Sequence, residues 1–272
     1  MRKIKRLTLL VFFGVVGLGL GFWVLPLLGQ LETVHRLKLD LEGVYEKTLE
    51  GGLHAWVRDI GLGQEGRSCL ALIHGLDQNA MTWEKILLIP EKKWKEMGLV
   101  DPLKIFALNL PGSGKSPPAK EKKEDQVRRQ AQKLKEALAL ECPSWLVVGN
   151  SYGGWVAAWL AFLWPKGIHR LLLVDSLGLK EMRPPILSWS IPLQAQVDED
   201  ALNLVLPKLE VPTLFLWGKE DTVTPLTQGY QMRALLRSAI WREASPCGHW
   251  LQLDCPSVVA QSIVDMIHYG SI

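Results

Sequence analysis

Five short apolar runs punctuate the chain. Leu70–Ile73 ends at His74-Gly75, Ile105–Leu108 at Asn109, Trp145–Val148 at Gly149, Leu171–Val174 at Asp175, and Leu214–Trp217 at Gly218. None alternates with polar residues, the pattern of strands covered on both faces. Helical spacing fills the intervals. Between Glu121 and Leu140, Val127, Ala131, Leu134 and Leu138 recur at steps of four, three and four among Lys, Arg, Glu and Gln, which predicts a surface helix with one buried stripe. Residues 30–66 read as a connector followed by irregular edge strands, with Leu53–Val57 the best strand among them. Alternating strands and helices predict an α/β fold, a mostly parallel central sheet flanked by helices, with function in the loops at the carboxyl ends of the strands.

An uncharged apolar run from Leu7 to Leu28 follows the basic cluster Arg2, Lys3, Lys5 and Arg6. It is long enough to cross a bilayer as a helix, and no small-x-small cleavage site follows it. The expected organisation is therefore a membrane anchor or signal segment at 1–29, a connector at 30–52, and an α/β domain at 53–272. An uncleaved N-terminal transmembrane helix would make the membrane a partner and, by the positive-inside rule, put the domain on the non-cytoplasmic side. A secreted or periplasmic protein, after signal cleavage, is the alternative.

At 272 residues and 48% hydrophobic composition, the chain can close one substantial core. The formal charge of +3 belongs to the N-terminal region, because residues 40–272 hold 25 basic against 27 acidic side chains. Basic residues there are interleaved with acids, so no nucleic-acid partner is expected. Of the four cysteines, Cys69 reads as a small buried hydrophobe, while Cys247 and Cys255 flank His249 closely enough for either a bridge or two free thiols. Their spacing matches no zinc pattern. The loop Pro111-Gly112-Ser113-Gly114-Lys115-Ser116 resembles the end of a phosphate loop. It has Asn109 where that motif needs glycine, and Pro117-Pro118 stop the helix that should follow. No cofactor and no metal is expected.

The pentapeptide Gly149-Asn150-Ser151-Tyr152-Gly153 lies between a strand-like run and the helix-like Trp155–Leu160. A serine at the apex of so sharp a turn needs small neighbours, and Gly149 and Gly153 meet that need. A serine hydroxyl is a poor nucleophile unless a base takes its proton, and a histidine held in one tautomer by a carboxylate can do so. Asp221 follows a later strand and His249 lies near the end of the chain. Position alone leaves Asp175 as a rival for the carboxylate and Glu220 as a neighbour in the wrong register.

From about Leu53 to His268 the chain resembles the α/β-hydrolase superfamily, in its lipase- and esterase-like branch. The resemblance rests on G-N-S-Y-G, on His74-Gly75-Leu76-Asp77 with Trp83 nine residues after His74, and on Asn109-Leu110-Pro111-Gly112-Ser113-Gly114-Lys115-Ser116. The frame of Gly218, Asp221 and Pro225 and the order Ser, Asp, His complete it. Asn109 departs from the aspartate usual in that loop. The resemblance implies Ser151, Asp221 and His249 as a catalytic triad, with the backbone N–H groups of Leu76 and Tyr152 as the oxyanion hole. His74, Gly75, Gly149 and Gly153 would support them.

It further implies a short lid at about 176–211 and a small-molecule or lipid-like ester as substrate, cleaved through an acyl-enzyme. Thioesterase, amidase, acyltransferase and carbon–carbon bond hydrolase activities would use the same apparatus, and a non-catalytic interaction protein on this fold is the alternative of another class. Oligomeric state is left open.

Overall fold

The computed structural model describes residues 43–61, 68–118, 126–180 and 200–269. The chain divides into two compact units, Met1–Gly43 and Val44–Ile272, and the sheet belongs to the second. Eight strands form it among the described residues: β1 Val44–Thr48, β2 His54–Ile60, β3 Ser68–Ile73, β4 Leu103–Leu108, β5 Trp145–Asn150, β6 Ile168–Val174, β7 Thr213–Gly218 and β8 Ile240–Ala244. Their order across the sheet is β1-β2-β4-β3-β5-β6-β7-β8. β2 runs antiparallel to β1 and β4, and every other pairing is parallel. The carboxyl ends of β3 to β8 therefore open on one edge, and the expected mostly parallel sheet is what forms.

Helices cover both faces. In chain order they are α1 Glu84–Leu87, α2 Glu91–Glu96, α3 Gln126–Ala139, α4 Tyr152–Leu163, α5 Leu226–Leu235, α6 Leu251–Asp254 and α7 Pro256–His268. Successive strand residues point to opposite faces. Ala71, Ile73, Val147, Leu173, Phe215 and Trp217 share a core with α3 and α4. Their neighbours Leu70, Leu72, Leu146, Val148, Leu172 and Leu216 are just as buried. Double coverage is why the strands read as unbroken apolar runs. α3 buries Val127, Ala131, Leu134 and Leu138, the predicted stripe. α4 is buried from Tyr152 to Ala161, which explains its uniformly apolar sequence.

Two strands have weaker signals. β1 lies within the stretch read as a connector, and β8 has the polar sequence Ile240-Trp241-Arg242-Glu243-Ala244 because it is a half-exposed edge. Cys69 differs from expectation, while for Cys247 and Cys255 the bridge is the alternative that forms. Cys69 is bonded to Cys142 across 73 residues, and Cys247 to Cys255 across 8. The first bridge forms because β3 and β5 are adjacent, with Cys69 opposite Trp145, and Cys142 enters β5 from α3.

The expected transmembrane helix is corrected. Among the described residues no helix is long and apolar enough to cross a membrane. The apolar helix they do contain, α4, has 12 residues. It would rise about 18 Å against the roughly 30 Å of a hydrocarbon core, and it is consumed by packing on the sheet. The run 7–28 lies outside the described residues. The membrane as partner and the single-pass, non-cytoplasmic placement rested on that helix alone and are withdrawn with it. Of the lid expected at 176–211, residues 181–199 also lie outside the described residues. Its remaining part ends in two single turns, Leu202–Leu204 and Leu206–Lys208.

A bridge closing 73 residues restricts the unfolded chain strongly. Replacing Cys69 and Cys142 together by alanine is expected to lower unfolding stability by about 2–5 kcal/mol. Urea denaturation of the double variant beside the parent measures it.

Candidate active site

Ser151 stands between β5 and α4 with φ 55° and ψ −119°, a conformation that side chains larger than hydrogen rarely adopt. Backbone bonds hold it there. Its N–H donates to the Val174 carbonyl at 3.0 Å, and its own carbonyl accepts from Gly154 and Leu177, each at 3.0 Å. The flanking glycines answer a spatial demand. A Cβ on Gly149 would fall well inside contact distance of the Gly153 carbonyl, and one on Gly153 would lie 2.5 Å from the His74 carbonyl. The first turn of α4 thus crosses directly over the ends of β5 and β3.

His249 and Asp221 arrive on the loops after β8 and β7. His249 Nδ1 lies 2.8 Å from Asp221 Oδ2, with both residues buried. Since the carboxylate accepts, Nδ1 carries the proton, and Nε2 keeps the lone pair that can take a proton from a hydroxyl. The other oxygen, Asp221 Oδ1, accepts from the backbone N–H groups of Val223 at 2.7 Å and Thr224 at 2.8 Å. Burial pushes the Asp221 carboxyl upward, but its hydrogen bond and charge interaction with His249, with those from Thr224, hold it below its ordinary value. It remains an anion facing the imidazole.

Three polar residues missed in the sequence tie these parts together. Asn150 Nδ2 donates to the carbonyls of His249 at 3.0 Å and Val174 at 3.2 Å, linking the residue before Ser151 to the histidine loop. Gln252 Nε2 donates to Asn150 Oδ1 at 3.1 Å. Thr224 Oγ1 lies 2.5 Å from Asp221 Oδ2 and 3.2 Å from His249 Nδ1. Asn150 and Thr224 sit inside motifs that had been noticed; only the fold reveals that they are buried.

The rivals to Asp221 separate cleanly. Glu220 turns away, accepting from Ser245 Oγ at 2.9 Å and the Cys247 N–H at 2.8 Å. Asp175 is fully buried and accepts the Gly218 N–H at 2.8 Å, without a hydrogen bond to His249.

On the oxyanion side, a Cβ built on Gly75 would lie 3.4 Å from Ser151 Cβ, so this backbone passes close to the serine. Neither the Leu76 nor the Tyr152 N–H donates to a backbone carbonyl among the described residues. His74 braces the loop. Its Nδ1 lies 2.7 Å from the Gly75 carbonyl, and Nε2 accepts from the Leu110 N–H at 3.2 Å. Burial, only partly opposed by the bond to Gly75, drives its pKa from 6.5 to about 4, so it stays neutral. Asn109 is explained by its neighbours: Oδ1 accepts the Ala80 N–H at 2.7 Å while Nδ2 faces His54 Nδ1 at 2.9 Å. An aspartate could accept the first but could not donate the second.

Two outcomes follow from this packing. Gly149→Ala is expected to lose soluble folded protein or nearly all activity, because backbone rather than a flexible side chain fills the space; circular dichroism and turnover check this. For His74, the folded chain binds fewer protons than the unfolded one between pH 4 and 6.5, so its contribution is whole above 6.5 and falls as pH drops toward 4. The loss reaches about 3 kcal/mol at one pKa unit per 1.36 kcal/mol. Urea midpoints of His74→Asn across that range should slope less steeply than those of the parent.

Comparison with known proteins agrees with the architecture. A Bacillus subtilis (strain 168) protein described as an uncharacterized hydrolase is 22% identical over 260 residues, covering 74% of this chain and 90% of its own. A Pseudomonas sp 2-hydroxy-6-oxononadienedioate/2-hydroxy-6-oxononatrienedioate hydrolase is 22% identical over 280 residues, covering 82% and 94%. The crystal structure of a bacterial membrane phospholipase A superposes with a TM-score of 0.68 at 23% identity, over 98% of this chain and 97% of that one. These likenesses, each under 25% identical, show a shared fold. The alpha/beta hydrolase fold family, Abhydrolase_1, matches residues 70–195 and 186–256, and the chain belongs to it.

Proposed function

We propose that this protein is a serine hydrolase that cleaves a carboxylic ester through an acyl-enzyme. The observation that carries the reading is the buried hydrogen bond between His249 Nδ1 and Asp221 Oδ2, on a loop that Asn150, the residue before the strained Ser151, ties by its own hydrogen bond to the His249 carbonyl. Ser151 Oγ attacks the ester carbonyl as His249 Nε2 takes its proton. Asp221 keeps the imidazole in the required tautomer and stabilises the imidazolium as it forms. Charge developing on the carbonyl oxygen is met by the N–H groups of Leu76, in the turn after β3, and Tyr152, at the start of α4. His249 then protonates the leaving alcohol, and a water activated by the same nitrogen releases the acid.

Small acyl esters and lipid-like esters are the proposed substrate class. Carbon–carbon bond hydrolysis would draw on the same three side chains. A series of 4-nitrophenyl esters of increasing chain length, run beside thioesters, amides and a vinylogous diketone acid, separates these activities.

Ser151→Ala is expected to cut ester turnover on the order of 10⁴-fold or more and to abolish labelling by a serine-directed phosphonate. Asp221→Asn is expected to cost about 10⁴-fold through the wrong histidine tautomer. Parent-like rates for Ser151→Ala would remove the serine from the chemistry, and a protein unlabelled and inert on every ester would support the non-catalytic alternative.

A further inference from the structure

One buried ionisable side chain has no task in that mechanism. Asp175 ends β6 with φ 43°, in the left-handed region, and is wholly shielded from water. Its Oδ1 accepts the Gly218 N–H at 2.8 Å, whereas its Oδ2 is buried with no conventional hydrogen-bond partner. An oxygen of Asp175, an oxygen of Asp221 and a ring nitrogen of His249 all lie within 4.8 Å of one another. Two carboxylates this close, away from water, cannot both be charged without a large penalty, so one of them must hold a proton. Asp221 faces His249 and receives two backbone N–H groups, so it is the anion.

We propose that Asp175 is a positioning residue of the triad, a neutral carboxylic acid whose O–H is directed at the Asp221 carboxylate and holds it in the orientation that grips His249. This inference rests on the serine-hydrolase reading. Its electrostatic setting agrees. Burial first, then the charge of Asp221, raises the Asp175 carboxyl well above its ordinary value, Asp254 adds to the rise, and the Gly218 N–H pulls the other way. The ionisable groups acting on it are therefore Asp221 after β7, Asp254 on α6 and His249 after β8.

The arrangement has a chemical consequence. Beside one negative charge, His249 is a base that can take the serine proton and return it. A second carboxylate charge would have to be buried here without a counter-ion of its own. A neutral donor supplies orientation without the second charge. It also makes activity depend on pH in a way an amide would not, because an acid with a raised pKa loses its proton as pH rises and an amide has none to lose.

The full-length chain and its Asp175→Asn and Asp175→Ala variants test this, with Ser151→Ala and Asp221→Asn as references on one 4-nitrophenyl ester. An amide can accept from Gly218 and donate to Asp221 as the acid does, so Asp175→Asn should keep kcat within about threefold of the parent. Asp175→Ala should lose about 10–100-fold in kcat with KM little changed, the scale of one hydrogen bond to a charged group. An alkaline decline of kcat in the parent should vanish in Asp175→Asn, and infrared spectra should contain a protonated-carboxyl band that this variant lacks. If Asp175→Asn fell as far as Asp221→Asn, or the band were absent, the assignment would be overturned while the triad stood. Parent-like rates for Ser151→Ala would overturn the triad itself.

Discussion

Helix α4 lies against the strands beneath it at backbone contact, and the site depends on that approach. Gly149 and Gly153 let the helix start within backbone contact of β5 and β3, where any Cβ would collide with carbonyl oxygens. A longer, relaxed turn would lower Ser151 into a groove and draw Tyr152 away from the Gly75 loop. The strained φ of 55° is maintained because the surrounding bonds to Val174, Gly154 and Leu177 over-determine it. Around this crossing the parallel strands deliver their loops to one edge, so residues distant in sequence meet where the backbone cannot relax.

Electrostatics then distinguishes groups that composition treats alike. His74 and His249 are both buried, yet one is pinned by the backbone N–H of Leu110 and the other by a carboxylate. The first is a brace with its proton settled; the second retains a nitrogen for exchange. Asp221, Asp175 and Glu220 likewise share a charge type and little else. Backbone donors and the imidazole keep Asp221 ionised, burial beside that charge favours the acid form of Asp175, and Glu220 fastens the loop after β8. The asymmetry within the buried pair gives the histidine one counter-charge instead of two.

The polar links between loops also account for the cohesion of the site. Asn150 reaches the His249 carbonyl and Gln252 reaches Asn150, so the serine and histidine loops are joined through amides that carry no charge of their own. The bridge between Cys247 and Cys255 closes the histidine loop on itself. These contacts hold the loops by backbone and amide groups, leaving the imidazole and hydroxyl available.

Much of this was legible in the residues themselves. Apolar runs without alternation identify the covered strands, helical spacing identifies α3, and local motifs single out Asp221 and His249, which the structure joins by a hydrogen bond. Such features are visible because periodicity and turn chemistry act over a few residues. What the sequence left open were pairings between distant segments. It could not tell that Cys69 faces Cys142, that polar β8 joins the sheet edge, or that Asp175 lies against Asp221 rather than replacing it. Nor could an uncharged run of the right length say whether the described structure would contain a membrane-length helix; hydropathy is shared by spans and by shorter helices such as α4 that a core absorbs. Those outcomes depend on which surfaces are brought together and which charges then lose their water, and only the tertiary structure decides that.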